Sequence, residues 1–144
     1  MSEFKRLSDT MLVAGQIDPD DVERAREAGV TLIVNNRPDG ESYDQPEGDA
    51  IRRAAQTAGI DYHAIPIGQG GFGMDEVAAM QTALDEAQGP VLAFCRSGTR
   101  STLLWALARA RAGDDLAAIE AAAQDAGYSV APVRGTMEQL ARES

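Results

Sequence analysis

Val91-Leu92-Ala93-Phe94-Cys95-Arg96-Ser97-Gly98-Thr99-Arg100-Ser101 is the stretch on which the reading of this chain turns. Four consecutive apolar residues are of buried-strand type, and they deliver a cysteine into a short polar loop containing glycine. Helical spacing begins where the loop ends, from about Arg100 to Ala112, with Leu103, Leu104, Trp105 and Leu107 as its apolar positions. The last three read as core that fixes the helix behind the loop.

Outward from this unit the same alternation repeats. Leu12-Val13-Ala14 is a short apolar run, and Asp18-Pro19 reads as an N-cap with proline at the first position of a helix ending near Ala28. Val30 to Val34 is a β-branched strand, 41–47 a polar loop, and Gly48 to Ala58 a helix closed by Gly59. Tyr62 to Ile67 is a strand, Gly68 to Gly73 a glycine-rich loop, and Asp75 to Ala87 a helix with Val77, Met80 and Leu84 on one face. Beyond Gly113 one helix ends near Gly127, and another follows Pro132. Strands alternating with helices predict an α/β fold, a mainly parallel sheet flanked by helices, in one domain over 1–144. In such folds ligands bind at the carboxyl ends of the strands. Loops 35–47, 68–74 and 95–100 should therefore gather at one end.

The cysteine loop has the makings of an anion cradle. Successive amides converge, the helix N-terminus adds its dipole, and Gly98 lets the backbone approach closely. Helix N-termini and guanidinium groups favour thiolate over thiol. Cys95 is thus the candidate nucleophile, and Arg100 would hold a tetrahedral oxyanion in a bidentate grip. Arg96, Ser97, Gly98, Thr99 and Ser101 are candidate anion contacts, although Arg96 can equally point to solvent. Ser101 or Thr102 would cap the helix or donate to the thiolate. The alternative is that Cys95 is a small buried hydrophobe. Two arginines, a glycine and three hydroxyl residues within the six positions that follow it argue against that.

Composition narrows the partners. The chain has 144 residues, 44% hydrophobic and 25% charged, with 13 basic against 23 acidic side chains and a net charge of −10. That surface repels phosphate backbones, so no nucleic-acid partner is expected. One cysteine excludes an internal disulfide, and with one histidine no metal or cofactor is expected. No apolar run approaches the roughly 20 residues of a membrane span, and the start lacks a secretory pattern. The expectation is a cytoplasmic protein that binds no membrane.

Read as a motif, Cys95 to Ser101 (CRSGTRS) resembles the active-site loop of rhodanese-type sulfurtransferases, where cysteine and arginine enclose four residues. It also resembles, one residue short, the loop of cysteine-dependent phosphatases. Leu12 to Gln16, GVTLIVNNRPDGE at 29–41 and YHAIPI at 62–67 are similar to the phosphatase-like domain of β-lactamase-hydrolase-like proteins. The resemblance covers nearly the whole chain. It implies a protein-tyrosine/dual-specificity-phosphatase-like fold in a bacterial family sometimes labelled sulfurtransferase, whose members can carry a fused metallo-β-lactamase-like domain.

The expected activity is therefore phosphate ester hydrolysis through a phosphocysteine. Sulfur transfer through a persulfide on the same residue is the alternative, and a non-catalytic anion- or protein-binding module the second alternative. The substrate is a small anion, either a phosphate ester or a sulfane-sulfur donor. A phosphatase normally has an aspartate on the loop after the strand equivalent to 62–67, yet 68–74 has no carboxylate before Asp75. Asp75 reads first as a helix cap. Asp39 or Glu41 would be the substitute acid, with Arg37 binding substrate or pairing with one of them. Gly68, Gly70 and Gly73 fit G-x-G-x-x-G, but no acidic residue ends the next strand. They read instead as a mobile loop with Phe72 as a pocket wall. His63 reads as a core or sheet histidine.

Overall fold

The computed structural model describes residues 3–143. Its centre is a five-stranded sheet of order β1-β2-β5-β3-β4. β1 (Lys5–Ser8) pairs antiparallel with β2 (Met11–Ala14). β2, β5 (Val91–Phe94), β3 (Leu32–Asn35) and β4 (Asp61–Ala64) then run parallel. The mainly parallel α/β sheet expected from the sequence is present.

Alternation along the central strands divides the core. Val91 and Ala93 of β5, with Leu32 and Val34 of β3, face one layer. That layer holds α3 (Met74–Glu86), α4 (Thr99–Arg111), α5 (Leu116–Asp125) and α6 (Arg134–Glu143). Leu92, Phe94 and Ile33 face the other, where α1 (Asp21–Glu27) and α2 (Gly48–Ala58) contribute Val22, Ala25, Ile51 and Ala55. α4 is buried along nearly its whole length and packs against both α3 and α6. Leu104 and Trp105 lie in this core as expected, and truncating a buried leucine such as Leu104 to Ala would cost about 2–5 kcal/mol. The rigid packing of α4 fixes the loop that precedes it.

Several elements depart from the sequence reading. β1 was not expected, because in KRLS only Leu7 is a buried apolar residue. Asp18-Pro19 does not cap α1. It forms a preceding turn, with Asp21 N–H donating to the Asp18 carbonyl at 2.9 Å, and the helix starts at Asp21. The regular strand expected over 62–67 stops at Ala64, since Pro66 has no N–H to give the ladder. The chain nevertheless stays tied to β3 and its following residue through Ile65 N–H to Asn35 O and Ile67 N–H to Asn36 O, both 2.9 Å. His63 is exposed on edge strand β4, so it is a sheet histidine and not a core one.

Candidate active site

Cys95 follows the last residue of β5, the middle strand, and is buried. Its amide is tied to the Ala14 carbonyl at the end of β2, and the Asn36 amide on the other side donates to Phe94 O at 2.9 Å. The thiol is thus fixed by a ladder on both flanks. Gly98 N–H donates to Cys95 Sγ at 3.1 Å. Gly98 has φ +89°, a conformation open mainly to glycine, and a Cβ there would overlap the Tyr128 hydroxyl. Thr99 then opens α4, whose N-terminus faces the loop.

The two buried hydroxyls in the first turn of α4 differ in their bonding. Thr102 Oγ1 donates to Gly98 O at 2.8 Å and closes the helix end. Ser101 Oγ is buried without a hydrogen-bond partner among the described residues. An unsatisfied buried hydroxyl costs about 1–3 kcal/mol. Ser97 and Thr99 are exposed and share a 3.1 Å hydroxyl contact, while Arg96 is exposed and its carbonyl accepts from Gln16 N–H.

Arg100 folds back over the loop. Its Nη1 donates to Glu41 Oε2 at 2.7 Å and to Ile67 O at 2.8 Å, and its Nη2 donates to Glu41 Oε1 at 2.9 Å. Its pKa is raised, first by the hydrogen bond to Glu41 and then by the charge of Cys95. One guanidinium therefore joins the 95–100 loop to the 35–47 loop and to Ile67, the residue just before the 68–74 loop. Arg37, buried, donates from Nε to the same Glu41 Oε1 at 2.9 Å and from Nη1 to Gln16 Oε1 at 3.0 Å. Arg100 first, then Arg37, pull the Glu41 carboxyl down to about 2. Glu41 is therefore an ion-pair anchor and cannot carry a proton at neutral pH.

The other expected acids are elsewhere engaged. Asp39 Oδ1 accepts from Gly48 N–H at 2.8 Å and so satisfies the amino end of α2. Asp75 is exposed in the first turn of α3, on a cleft shared with His63, Ala64 and Ile65 along β4. It is not the cap either, because Glu76 Oε1 takes the Gly73 N–H at 3.2 Å. Phe72 is half-buried and packs against the core between sheet and helices.

Two participants carry no local signal in the sequence. Tyr128, after α5, donates its hydroxyl to Ser97 O at 3.0 Å, while Lys5 sits over its ring at 5.0 Å. Burial, then Cys95, raise the Tyr128 pKa. Gln16, just after β2, accepts from Arg37 and donates its N–H to Arg96 O at 3.3 Å. The alignment of β2 with β5 brings Gln16 to the loop, and the packing of α5 on α4 and β1 brings Tyr128.

Residues 3–112 match the family model for the phosphatase-like domain of β-lactamase-hydrolase-like proteins. The chain belongs to this family. β-Lactamase hydrolase-like proteins from Xylella fastidiosa (strain Temecula1) and Agrobacterium fabrum are 35% and 36% identical to it, over 70% and 75% of this chain. Those alignments cover 23% and 25% of the relatives, so the chain matches about a quarter of their length. Among solved structures, a candidate phosphatase from Neisseria meningitidis Z2491 has 30% identity and a TM-score of 0.81, covering 94% of this chain and 96% of that one. The kinase-associated phosphatase, solved with its catalytic-site cysteine replaced by serine, has 16% identity and a TM-score of 0.72 over 99% of this chain and 94% of its own. That likeness is one of fold alone. The chain is a phosphatase-like domain with a protein-tyrosine/dual-specificity-phosphatase-like architecture, and among its described residues no helix is long and apolar enough to cross a membrane.

Proposed function

We propose that the chain is a cysteine-dependent phosphatase that hydrolyses small phosphate monoesters through a phosphocysteine. The observation that carries this reading is Cys95 Sγ at the end of the central strand, receiving Gly98 N–H at 3.1 Å, with Arg100 five residues on bonded to Glu41 and to Ile67 O. The thiolate attacks phosphorus while loop amides and the guanidinium hold the equatorial oxygens, and the phosphorus–oxygen bond to the leaving group breaks. Water then attacks the phosphocysteine and regenerates the thiolate. Family membership supports a phosphatase-like chemistry, and the unpartnered Ser101 hydroxyl supports a loop built to hold a thiolate over an inert binding module. The reduced thiol this chemistry needs fits a reducing compartment such as the cytoplasm.

Sulfur transfer is the second reading, favoured by one feature: four residues, and not five, separate Cys95 from Arg100. In that case the thiolate attacks the sulfane sulfur of thiosulfate, the sulfur–sulfur bond breaks, and sulfite leaves. Intact mass of wild type and Cys95→Ser separates the two. Phosphoryl addition from an aryl phosphate on the wild type alone supports the phosphatase. Addition of one sulfur from thiosulfate, with no phosphoryl adduct, transfers the assignment to sulfur chemistry. Aryl phosphate turnover retained in Cys95→Ser would sink both.

A further inference from the structure

Cleaving a phosphate ester leaves a negative oxygen on the departing group, and an alkoxide leaves slowly unless a side chain protonates it. Such general acid help contributes roughly 10²–10⁴ in rate. Here the carboxylates that border the loop or stand in the place of an acid are held by other groups. Glu41 is shared by Arg37 and Arg100, Asp39 holds the Gly48 amide, and Glu76 holds the Gly73 amide. Asp75 and the chain's one histidine, His63, line a cleft along the outer strand β4. The Tyr128 hydroxyl is spent on Ser97 O. Ser97 and Thr99 offer only hydroxyls, and Arg96 only a guanidinium. Of the groups named, no carboxylate or histidine is both uncommitted and bonded to the loop.

We propose that this site acts on phosphate compounds whose leaving oxygen departs as a stable anion, such as acyl phosphates, phosphoanhydrides and esters of acidic phenols, and discriminates against alkyl esters. The proposal rests on the phosphatase reading above and narrows its substrate class. In the first step the Cys95 sulfur bonds to phosphorus, the phosphorus–oxygen bond breaks, and its electron pair leaves on an unprotonated oxygen. In the second, a water oxygen bonds to phosphorus and the electron pair of the phosphorus–sulfur bond returns to sulfur. One water proton passes to bulk solvent. Selectivity then comes from the stability of the departing anion and not from a pocket for its carbon skeleton.

The test is a series of aryl phosphates whose phenols have pKa values from about 5 to about 10, at pH 7, with phenol release followed in the first turnover. Cys95→Ser supplies the baseline. The expected result is a fall of about tenfold per pKa step, and so well over 100-fold across the series. A series that falls by less than about 100-fold, while staying above the Cys95→Ser baseline, would overturn the leaving-group proposal and leave the phosphatase reading standing. Release no faster than baseline with even the most acidic phenol would overturn both.

Discussion

Glu41→Gln separates what this carboxylate does by charge from what it does by shape. Gln keeps the length and one acceptor oxygen but cannot neutralise Arg37 and Arg100, which meet on Glu41 at 2.7–2.9 Å. The folded carboxyl is held at about 2 against an ordinary 4.5, so its stabilising effect is complete above about pH 4.5 and is lost as the pH falls towards 2. At about 1.36 kcal/mol per pH unit, that gap sets an upper bound of about 3 kcal/mol. The side chain keeps 28% of its surface exposed, and solvent screening reduces the figure to about 1–2 kcal/mol. Glu41→Gln should therefore melt about 3–6 °C lower at pH 7. At pH 3, where much of the ionic contribution has already gone from the wild type, urea denaturation should show less than half the pH 7 difference. Equal losses at pH 7 and pH 3 would refute the ion-pair account and assign the effect to packing. Turnover should also fall by about tenfold, since Arg100 would lose its two-point grip on a carboxylate and keep the Ile67 carbonyl and at most one amide oxygen.

Three further substitutions probe the loop. Ser101→Ala removes a buried hydroxyl that has no partner, so chemical denaturation should find it as stable as wild type or up to about 1 kcal/mol more so, while iodoacetamide alkylation of Cys95 slows. Gly98→Ala forces a side chain into left-handed backbone against Tyr128; it should lose about 1–3 kcal/mol by thermal denaturation and lose phosphate protection of Cys95 from alkylation. Tyr128→Phe gives up one hydrogen bond to Ser97 O, and urea titration should find it less stable by about 0.5–1.5 kcal/mol with Cys95 still alkylated.

What could be read from the sequence was what local physics enforces. VLAF is apolar on both faces because β5 lies between β2 and β3 under two helix layers, and that double burial is visible in four letters. The cysteine, the glycine and the arginine follow within six residues, so the cradle too is a local feature. β1 was hidden because an edge strand needs only Leu7 to face the core. The Asp18-Pro19 signal misled because a proline that suits the first turn of a helix equally suits the turn before one. Glu41 was found as a residue and misjudged as a role. Its partner Arg100 lies 59 positions away, and only the parallel pairing of β3 with β5 brings the two strand ends together. Tyr128 belongs to the same class, since nothing about an isolated tyrosine after a helix says that it will seal a glycine 30 residues earlier.

The strand order has a further consequence, for how the protein comes into being. β2 and β3 are made early in the chain but never touch, and the strand that joins them is the last of the five. Until residue 94 has been synthesised, the sheet can exist only as two separate ribbons, β1 with β2 and β3 with β4, and ribbons of two strands are marginal in water. β5 must slide between two waiting edges, a non-local event of the kind that makes folding slow. The same four residues carry the cysteine at their tip. A chain interrupted before them has no thiol at all, and a chain that contains them acquires its proposed nucleophile in the act of closing its sheet.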